Sequence, residues 1–258
     1  MGSGSEPTST GAGVEPPDTD ITGEVTWVSD GDTIDVDTDQ GTVTVRLVAI
    51  NAPDQGECYS EDGLDHLIET LKGEQVGLEV MGEDQFDRVL AHVFVGTRHI
   101  NLEMVEDGFA IASSPGEDDP HRDEILAAED GAFQGRFGLW SRTACGHDGP
   151  IPEVNIASEL SVVDPPGHDD DVLDMETVQV VNNGTYEVDL DGWILRDEST
   201  RHRFVFGAGT PLAFRETVEV ASDDTGWDPG GSSVWNNSGD MALLQLPDGT
   251  VVDRWRYP

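Results

Sequence analysis

The alternation of apolar and polar positions changes character once along this chain of 258 residues. In the first half, five stretches alternate with the period of two that strands require: residues 24–28, 33–37, 42–50, 75–80 and 89–95. Apolar residues at helical spacing predict helices over residues 60–73, 100–107 and 121–134. Five strands with a helix after the third predict a small OB-fold barrel with helices.

From residue 154 onward, short strand-like runs follow one another between clusters of turn residues, without a helical pattern. The predicted strands are residues 177–181, 192–195, 203–206, 217–221, 241–246 and 251–257. This spacing predicts an all-β sandwich. The chain is therefore predicted to be mainly β with some α, with a barrel domain at residues 23–145, a linker at 146–152 and a sandwich domain at 153–258.

Residues 1–22 are rich in Gly, Ser, Thr and Pro and contain no apolar block. They predict a disordered leader or tether rather than a signal peptide. A remnant of a trimmed export signal is a second interpretation. Nowhere do about eighteen apolar residues follow one another, so we expect no membrane-spanning helix.

Residues 29–41 read SDGDTIDVDTDQG, which raises the question of a calcium loop. An EF-hand needs glycine at its sixth position and glutamate at its twelfth, whereas a frame that starts at Asp35 has Gln40 and Arg46 there. The alternation instead predicts a β-hairpin that turns at residues 39–41, with its aspartates on the solvated face or in the turn. Asp30 and Asp32, which precede this hairpin, are not explained in this way. The histidines of the chain show no paired metal-ligand spacing.

The charge balance is extreme, with 13 Lys and Arg against 53 Asp and Glu and a net charge of -40. Acidic residues occur throughout both halves, and Lys72 is the one lysine of the chain. Such a surface predicts a protein that works in high salt, where the range of charge repulsion shrinks to about 3 Å at 1 M. At low salt the same charge would repel nucleic acid.

Cys58 and Cys145 are the two cysteines of the chain. A bridge between them would close a long loop and stabilise the fold by on the order of 4 kcal/mol in the chain-entropy model. It would also indicate an oxidising, extracellular setting. Two unrelated free thiols are the alternative, and we favour the disulfide.

Five motifs follow one another in the first half: SDGDTI, VRLVAINAPD, DQFDRVLAHVFV, INLEMVEDGFA and GLW. In this order and spacing, residues 23–142 resemble the staphylococcal nuclease (thermonuclease-like) family. The resemblance implies an OB-fold barrel that cuts the phosphodiester bonds of DNA and RNA with one calcium ion (Ca2+).

The same resemblance implies a calcium site made from two segments rather than from the aspartate run. Asp32 and Asn51 would be its side-chain ligands, and the backbone carbonyl of Ala52 would be a third ligand. Calcium accepts such mixed oxygen ligands in loose geometry.

Arg46 and Arg88 match the two catalytic arginines of the family, and Asp54 matches the carboxylate that orients and deprotonates the attacking water. Attack on a phosphodiester builds negative charge on the equatorial oxygens, and guanidinium groups bind such oxygens in pairs. For each arginine, a surface position that offsets nearby acids is the alternative.

Four positions depart from the family pattern. Asn51 stands where aspartate is usual, which removes one negative charge from the calcium site. Asp54 replaces glutamate and is one methylene shorter, and small misplacements of a catalytic group are costly. Asp87 replaces the glycine before the second arginine, and Phe86 lacks the hydroxyl of the family's tyrosine.

The second half contains VQVVNNG, VDLDGWILRD and PDGTVVD. With these motifs, residues 153–258 resemble the lamin-tail domain. The resemblance implies an immunoglobulin-like β-sandwich that binds or anchors an unknown ligand and has no catalytic residues. We expect Trp193 in its core, whereas core packing and ligand contact both stay open for Trp227 and Trp235.

Together, these features predict a secreted or cell-surface, calcium-dependent endonuclease that cleaves DNA, RNA or both, carries an accessory sandwich and is adapted to high salt. We expect it to be a monomer. The alternative is a catalytically weakened nucleic-acid- or protein-binding protein that retains the nuclease barrel. Asn51 and Asp54 favour this alternative, whereas Asp32, Arg46 and Arg88 favour the enzyme.

Overall fold

A computed structural model describes residues 17–113, 116, 118–157, 177–199, 201–222, 226–228, 234–235 and 240–257. Most of the predicted leader, residues 1–16, lies outside these described residues. The first strand begins at Ile21, slightly before the predicted start of the barrel at residue 23. In the described part of the chain, none of the helices has the length and apolar character needed to cross a membrane.

The first half folds as the predicted five-stranded barrel. Its strands are β1 (Ile21–Val28), β2 (Thr33–Thr38), β3 (Gly41–Leu47), β4 (Ile50–Asn51), β5 (Gln75–Glu83), β6 (Val89–Val95), β7 (Arg98–His99) and β8 (Ile111–Ala112). The barrel strands lie in the order β3-β2-β1-β5-β6, and a parallel pairing of β3 with β6 closes them into a ring. Alternate side chains point inwards, and Val25, Val36, Val45 and Leu78 are fully buried there.

Three helices accompany the barrel, as predicted: α1 (Ser60–Leu71), α2 (Ile100–Glu106) and α3 (Arg122–Gly135). Leu67 and Leu71 of α1 are fully buried in the barrel core. The predicted β2–β3 hairpin is also confirmed, with Thr38 paired to Gly41 across the turn. Asp37 is exposed on this hairpin, so the aspartate run is a strand and turn and not a calcium loop.

The prediction of one strand over residues 42–50 was wrong, because the chain turns in the middle of that stretch. Strand β3 ends at Leu47, and Ala49 has a φ of 62°, a left-handed conformation that alanine rarely adopts. The chain then enters β4, which pairs with β8 rather than with the barrel strands. This turn places Asn51 beside Ile111.

The second half is the predicted all-β sandwich. Its strands are β9 (Val154–Ile156), β10 (Thr177–Asn182), β11 (Val188–Asp189), β12 (Ile194–Arg196), β13 (Arg203–Val205), β14 (Pro211–Leu212), β15 (Thr217–Ala221), β16 (Trp227–Asp228), β17 (Asp240–Gln245) and β18 (Val251–Tyr257). Two larger sheets, ordered β15-β10-β9 and β16-β13-β12-β17-β18, enclose one apolar core, as in an immunoglobulin-like sandwich.

The three tryptophans that the sequence singled out belong to this core. Trp193, Trp227 and Trp235 are all at least 95% buried, with exposures of 4%, 5% and 1%. The indole rings of Trp227 and Trp235 pack edge to face, with centroids 5.8 Å apart. Of the two interpretations left open for Trp227 and Trp235, core packing is therefore correct.

The barrel and the sandwich share a third apolar cluster. It joins Ile111, Ala132, Leu139 and Trp140 of the first half to Met241, Leu243 and Val251 of the second. The sequence of strand β17 is nearly continuous in apolar residues because both faces of the strand are buried. Ala242 and Leu244 face the sandwich core, while Met241 and Leu243 face the barrel domain.

A disulfide joins Cys58 and Cys145, as predicted, with their Cα atoms 5.4 Å apart. It links the residues just before α1 to the end of the barrel domain. The sandwich touches this bridge at Gly249, where a Cβ atom would lie 3.0 Å from the Cβ of Cys58. Gly249 also has a φ of 93°, so glycine is required there both by conformation and by close approach.

Two buried histidines and a partly exposed third form a cluster on the barrel. The Nδ1 of His92 lies 3.0 Å from the Nε2 of His99, and the Nε2 of His92 lies 3.1 Å from Asp119. His121 packs against both rings and bonds Glu79 at 2.8 Å. Burial lowers the pKa of His99 to about 3 and also lowers the pKa of His92.

This cluster predicts a loss of stability in acid. His99 stays neutral in the folded chain down to a pH of about 3, and the lowered pKa of His92 acts in the same direction. The unfolded chain, in contrast, takes up protons below a pH of about 6.5. The free energy of unfolding should therefore fall as the pH drops from about 6.5 towards 3, by up to about 1.4 kcal/mol per pH unit from His99.

The test is urea unfolding between these pH values for His99→Gln, which keeps a polar group near Nε2 but does not titrate. We expect a shallower pH dependence than in the parent protein. His66→Gln is the control, because His66 stacks on Phe109 outside the cluster. An unchanged slope in His99→Gln would contradict the assignment.

Candidate active site

Asp32 is held at the start of β2 by a tight packing of two segments. Gly31 lies directly beneath Ala52, and a Cβ atom at Gly31 would be 2.6 Å from the Cβ of Ala52. The backbone N–H of Ala52 donates to the Oδ2 of Asp32 at 2.8 Å. The loop before β2 and the segment after β4 therefore meet at this carboxylate.

Arg46 joins the two segments. Its Nη1 lies 2.9 Å from the Oδ2 of Asp32, and its Nη2 donates to the Oδ1 of Asn51 at 2.9 Å. A further bond from Nη1 to the carbonyl of Leu47 fixes the plane of the guanidinium group. The structure thus brings together four of the six predicted site residues: Asp32, Arg46, Asn51 and Ala52.

The Asp32 carboxylate is buried. Only 6% of the residue is exposed, and this burial raises its pKa to about 7. Arg46 opposes the increase, but the negative charge of Asp30 adds to it. A buried carboxylate with such a pKa gains stability from an additional cation beside it.

Asp54 lies on the exposed loop that follows this cluster. Its backbone N–H donates to the Oε2 of Glu57 at 3.0 Å, and the N–H of Glu57 donates to the carbonyl of Asp54 at 2.9 Å. This turn fixes the backbone of Asp54. Burial lowers the pKa of Arg196 in the sandwich to about 10, and the negative charges of Asp197 and Asp54 partly oppose this effect.

Arg88 lies on the same face of the barrel wall as Arg46. Strand β6 pairs with β3 so that Leu90 is opposite Arg46, and Arg88 precedes Leu90 by two positions on the same side. The Nε of Arg88 bonds the Oδ2 of Asp84 at 2.7 Å. Arg88 is therefore held in the β5–β6 turn. It lies on the same face as Arg46, but its bond to Asp84 is outside the Asp32 cluster.

The β5–β6 turn also shows how the chain accommodates Asp87. This residue has a φ of 60°, in the left-handed region where glycine is favoured. Phe86 is 62% exposed, and its ring lies 5.6 Å from the guanidinium carbon of Arg88. Phe86 thus offers Arg88 a cation–π contact in place of a hydroxyl group.

Comparisons with known proteins agree with this geometry. Residues 44–142 match the family model described as staphylococcal nuclease homologue, and residues 158–258 match that of the lamin tail domain. A thermonuclease of Staphylococcus intermedius is 30% identical over 135 residues, which cover 48% of this chain and 80% of that protein. The chain belongs to the staphylococcal nuclease family.

Two further relatives support this membership of the nuclease family. A micrococcal nuclease of Shigella flexneri is 30% identical over 131 residues, covering 47% of this chain and 75% of that protein. A protein of Haemophilus influenzae described as an endonuclease is 33% identical over 118 residues, covering 45% of this chain. The chain spans 65% of the length of the Haemophilus protein. All three matches cover less than half of this chain.

The residues around Asp32 fit a calcium ion in the type of ligand they offer. The carboxylate of Asp32, the amide oxygen of Asn51 and the carbonyl of Ala52 are all oxygen donors, and oxygen ligands are those that calcium prefers. Within the described ranges, no three His, Cys, Asp or Glu side chains converge so as to hold a metal ion. Of the three proposed ligands, only Asp32 carries a negative charge.

The lamin-tail domain contributes contacts to the site that no sequence motif predicts. The Nδ2 of Asn51 donates to the backbone carbonyl of Glu198 at 3.1 Å, and the hydroxyl of Ser113 lies 3.3 Å from the Oε1 of Glu198. Arg203 forms an ion pair with Glu57. No motif signals these contacts, since they join residues far apart in the chain.

Proposed function

We propose that this protein is a calcium-dependent endonuclease that hydrolyses phosphodiester bonds in DNA, RNA or both. One observation carries the proposal: the Arg46 guanidinium group joins the buried Asp32 carboxylate to Asn51. Family membership and the printed names of the relatives, thermonuclease and micrococcal nuclease, support the same chemistry.

The proposed roles follow from what each side chain can bind. Arg46 and Arg88 lie on one face of the barrel wall and offer guanidinium groups to the phosphate oxygens that gain charge during cleavage. Asp54, exposed on its loop, accepts the proton of the attacking water and orients it.

Asp32, Asn51 and the carbonyl of Ala52 would hold the calcium ion. When bound, such an ion polarises a phosphoryl oxygen and lowers the pKa of a coordinated water. Because Asn51 is neutral, we expect weaker calcium binding here than in a site with two carboxylates.

The setting proposed for the enzyme is extracellular and salty. The Cys58–Cys145 disulfide supports an oxidising compartment, and the net charge of -40 supports function at high ionic strength. The lamin-tail domain is proposed to act as an accessory to the nuclease domain. Its extensive contact with the barrel supports a role close to the nuclease site.

The test is cleavage of plasmid DNA with calcium or with a chelator, from about 0.1 to about 3 M salt. We expect calcium-dependent cleavage that is weak at low salt, because the acidic surface repels the polyanion. Activity should rise as salt screens this repulsion and fall again as salt weakens phosphate contacts.

Two outcomes would contradict this proposal. Cleavage that persists in the chelator would remove calcium from the mechanism. A folded protein that binds DNA but cleaves at no salt concentration would support the alternative of a nucleic-acid-binding protein that has lost catalysis.

A further inference from the structure

A cavity of about 180 Å³ lies between the nuclease domain and the lamin-tail domain. The nuclease domain lines it with Asn51, Pro53 and Glu57, and the lamin-tail domain lines it with Arg196 and Arg203. Asn51 belongs to the Asp32–Arg46 cluster, and Pro53 precedes the proposed general base. The cavity is thus directly beside the proposed catalytic site.

Arg196 is the unusual residue of this cavity. Only 6% of its surface is exposed, and its Nη1 donates to the carbonyl of Ser199 at 3.1 Å. Within the described residues, its Nε has no hydrogen-bond partner. Burial lowers the pKa of Arg196 to about 10, and the nearby Asp197 and Asp54 only partly oppose this. The guanidinium group is charged at neutral pH and incompletely compensated.

A second arginine lies directly across from it. Arg196 of β12 pairs with Arg203 of β13 in the antiparallel ladder. Like charges at directly opposed positions destabilise a sheet. A chain with 13 basic residues against 53 acidic ones nevertheless places two of them here. Such an arrangement is favourable when an anion occupies the space between the two groups.

The acidic residues of the cavity have other partners. Glu57 pairs with Arg203 and accepts the N–H of Asp54, while Asp248 bonds His147 at 2.9 Å. Their carboxylates leave the Nε of Arg196 unbonded. An incoming anion therefore meets at least one donor that no described residue satisfies.

We propose that this cavity is a subsite for a phosphate group of the substrate strand, adjacent to the phosphate that is cleaved, with Arg196 and Arg203 as its ligands. The inference rests on the proposed nuclease function. A tetrahedral phosphate offers oxygens to two guanidinium groups at once. The lamin-tail domain then adds two cations to those of the nuclease domain, and its fusion to the nuclease extends the site along the strand.

The first experiment measures binding without cleavage. A fluorescein-labelled tetranucleotide is titrated with the full chain in a chelator at several high salt concentrations, and anisotropy gives the Kd at each. We expect Arg196→Met to raise the Kd about tenfold and to reduce the slope of log Kd against log salt by about one. Arg201→Met is the matched control, because Arg201 is exposed on the same β12–β13 loop and does not line the cavity.

The second experiment compares substrate lengths. With calcium, Arg196→Met should raise KM for the tetranucleotide about tenfold but change KM for a dinucleotide with a single phosphate less than about twofold. The values of kcat should stay within about twofold for both substrates. Equal effects on the two substrates, or a tetranucleotide Kd equal to that of the parent protein, would overturn the subsite.

The two proposals fail separately. If the parent protein binds the tetranucleotide through Arg196 but never cleaves it, the subsite stands and the nuclease assignment falls. If Arg196→Met does not fold, as judged by circular dichroism, Arg203→Gln and Arg196→Lys replace it. A folded Arg203→Gln that binds and cleaves the tetranucleotide like the parent protein would overturn the subsite.

Discussion

Replacing Arg46 by alanine should lower kcat/KM for DNA cleavage by about 100- to 1,000-fold. The change removes the donor that we propose for the phosphate and also the bridge between Asp32 and Asn51. The lost stabilisation of the transition state corresponds to about 3 to 4 kcal/mol. Cleavage of a short oligonucleotide at saturating calcium and high salt measures the effect.

Two other variants make this result specific. Arg46→Lys should lose most of the activity as well, since an ammonium group cannot bond both segments in one plane. Arg98→Ala is the control, because Arg98 is half-exposed and pairs with Glu103 on another part of the barrel. Arg98→Ala should cleave within about twofold of the parent protein. Cleavage by folded Arg46→Ala at a similar rate would refute the role of this residue.

Replacing Glu129 by alanine should lower the free energy of unfolding by about 3 to 5 kcal/mol. Glu129 of α3 is fully buried and accepts the N–H of Ala112 at 2.9 Å. Its other oxygen lies 3.1 Å from Arg254 and 3.3 Å from Arg256 of the lamin-tail domain. Alanine would leave two arginines without this buried counter-charge at the boundary between the domains.

Asp130→Ala is the matched control for Glu129→Ala. Asp130 bonds the same Arg254, but its side chain is 65% exposed, so its loss should cost at most about 1 kcal/mol. Urea unfolding at a single high salt concentration compares the two variants. We also expect one unfolding transition in the parent protein and a separation of the two domains in Glu129→Ala. Equal stability of the two variants would show that the buried ion pair does not hold the domains together.

The local parts of the site follow from the sequence. The alternation in β2 and β3 predicts the hairpin, and the hairpin register in turn places Arg46 opposite Thr33, one residue after Asp32. The motif around Arg88 also predicts its position just before a barrel strand. These elements depend on periodicity and on contacts between neighbouring strands, and both are encoded over a few residues.

The parts that the sequence does not predict depend on tertiary contacts. The apolar residues 48–50 read as continuous strand, and nothing in their types indicates the positive φ of Ala49 that moves Asn51 beside β8. The bond from Asn51 to the carbonyl of Glu198 joins positions 147 residues apart. Such contacts arise from the packing of two domains, and no local sequence pattern predicts them.

The shared cluster around Trp140 and Leu243 makes it unfavourable to separate the two domains into fragments. A fragment that ends at residue 145 would leave Trp140 and Ile111 facing water, and the complementary fragment would expose Met241 and Leu243. Each fragment would then expose an apolar patch that promotes self-association. The two domains therefore behave as one unit. Replacing either domain by a homologue would require redesign of both contacting faces.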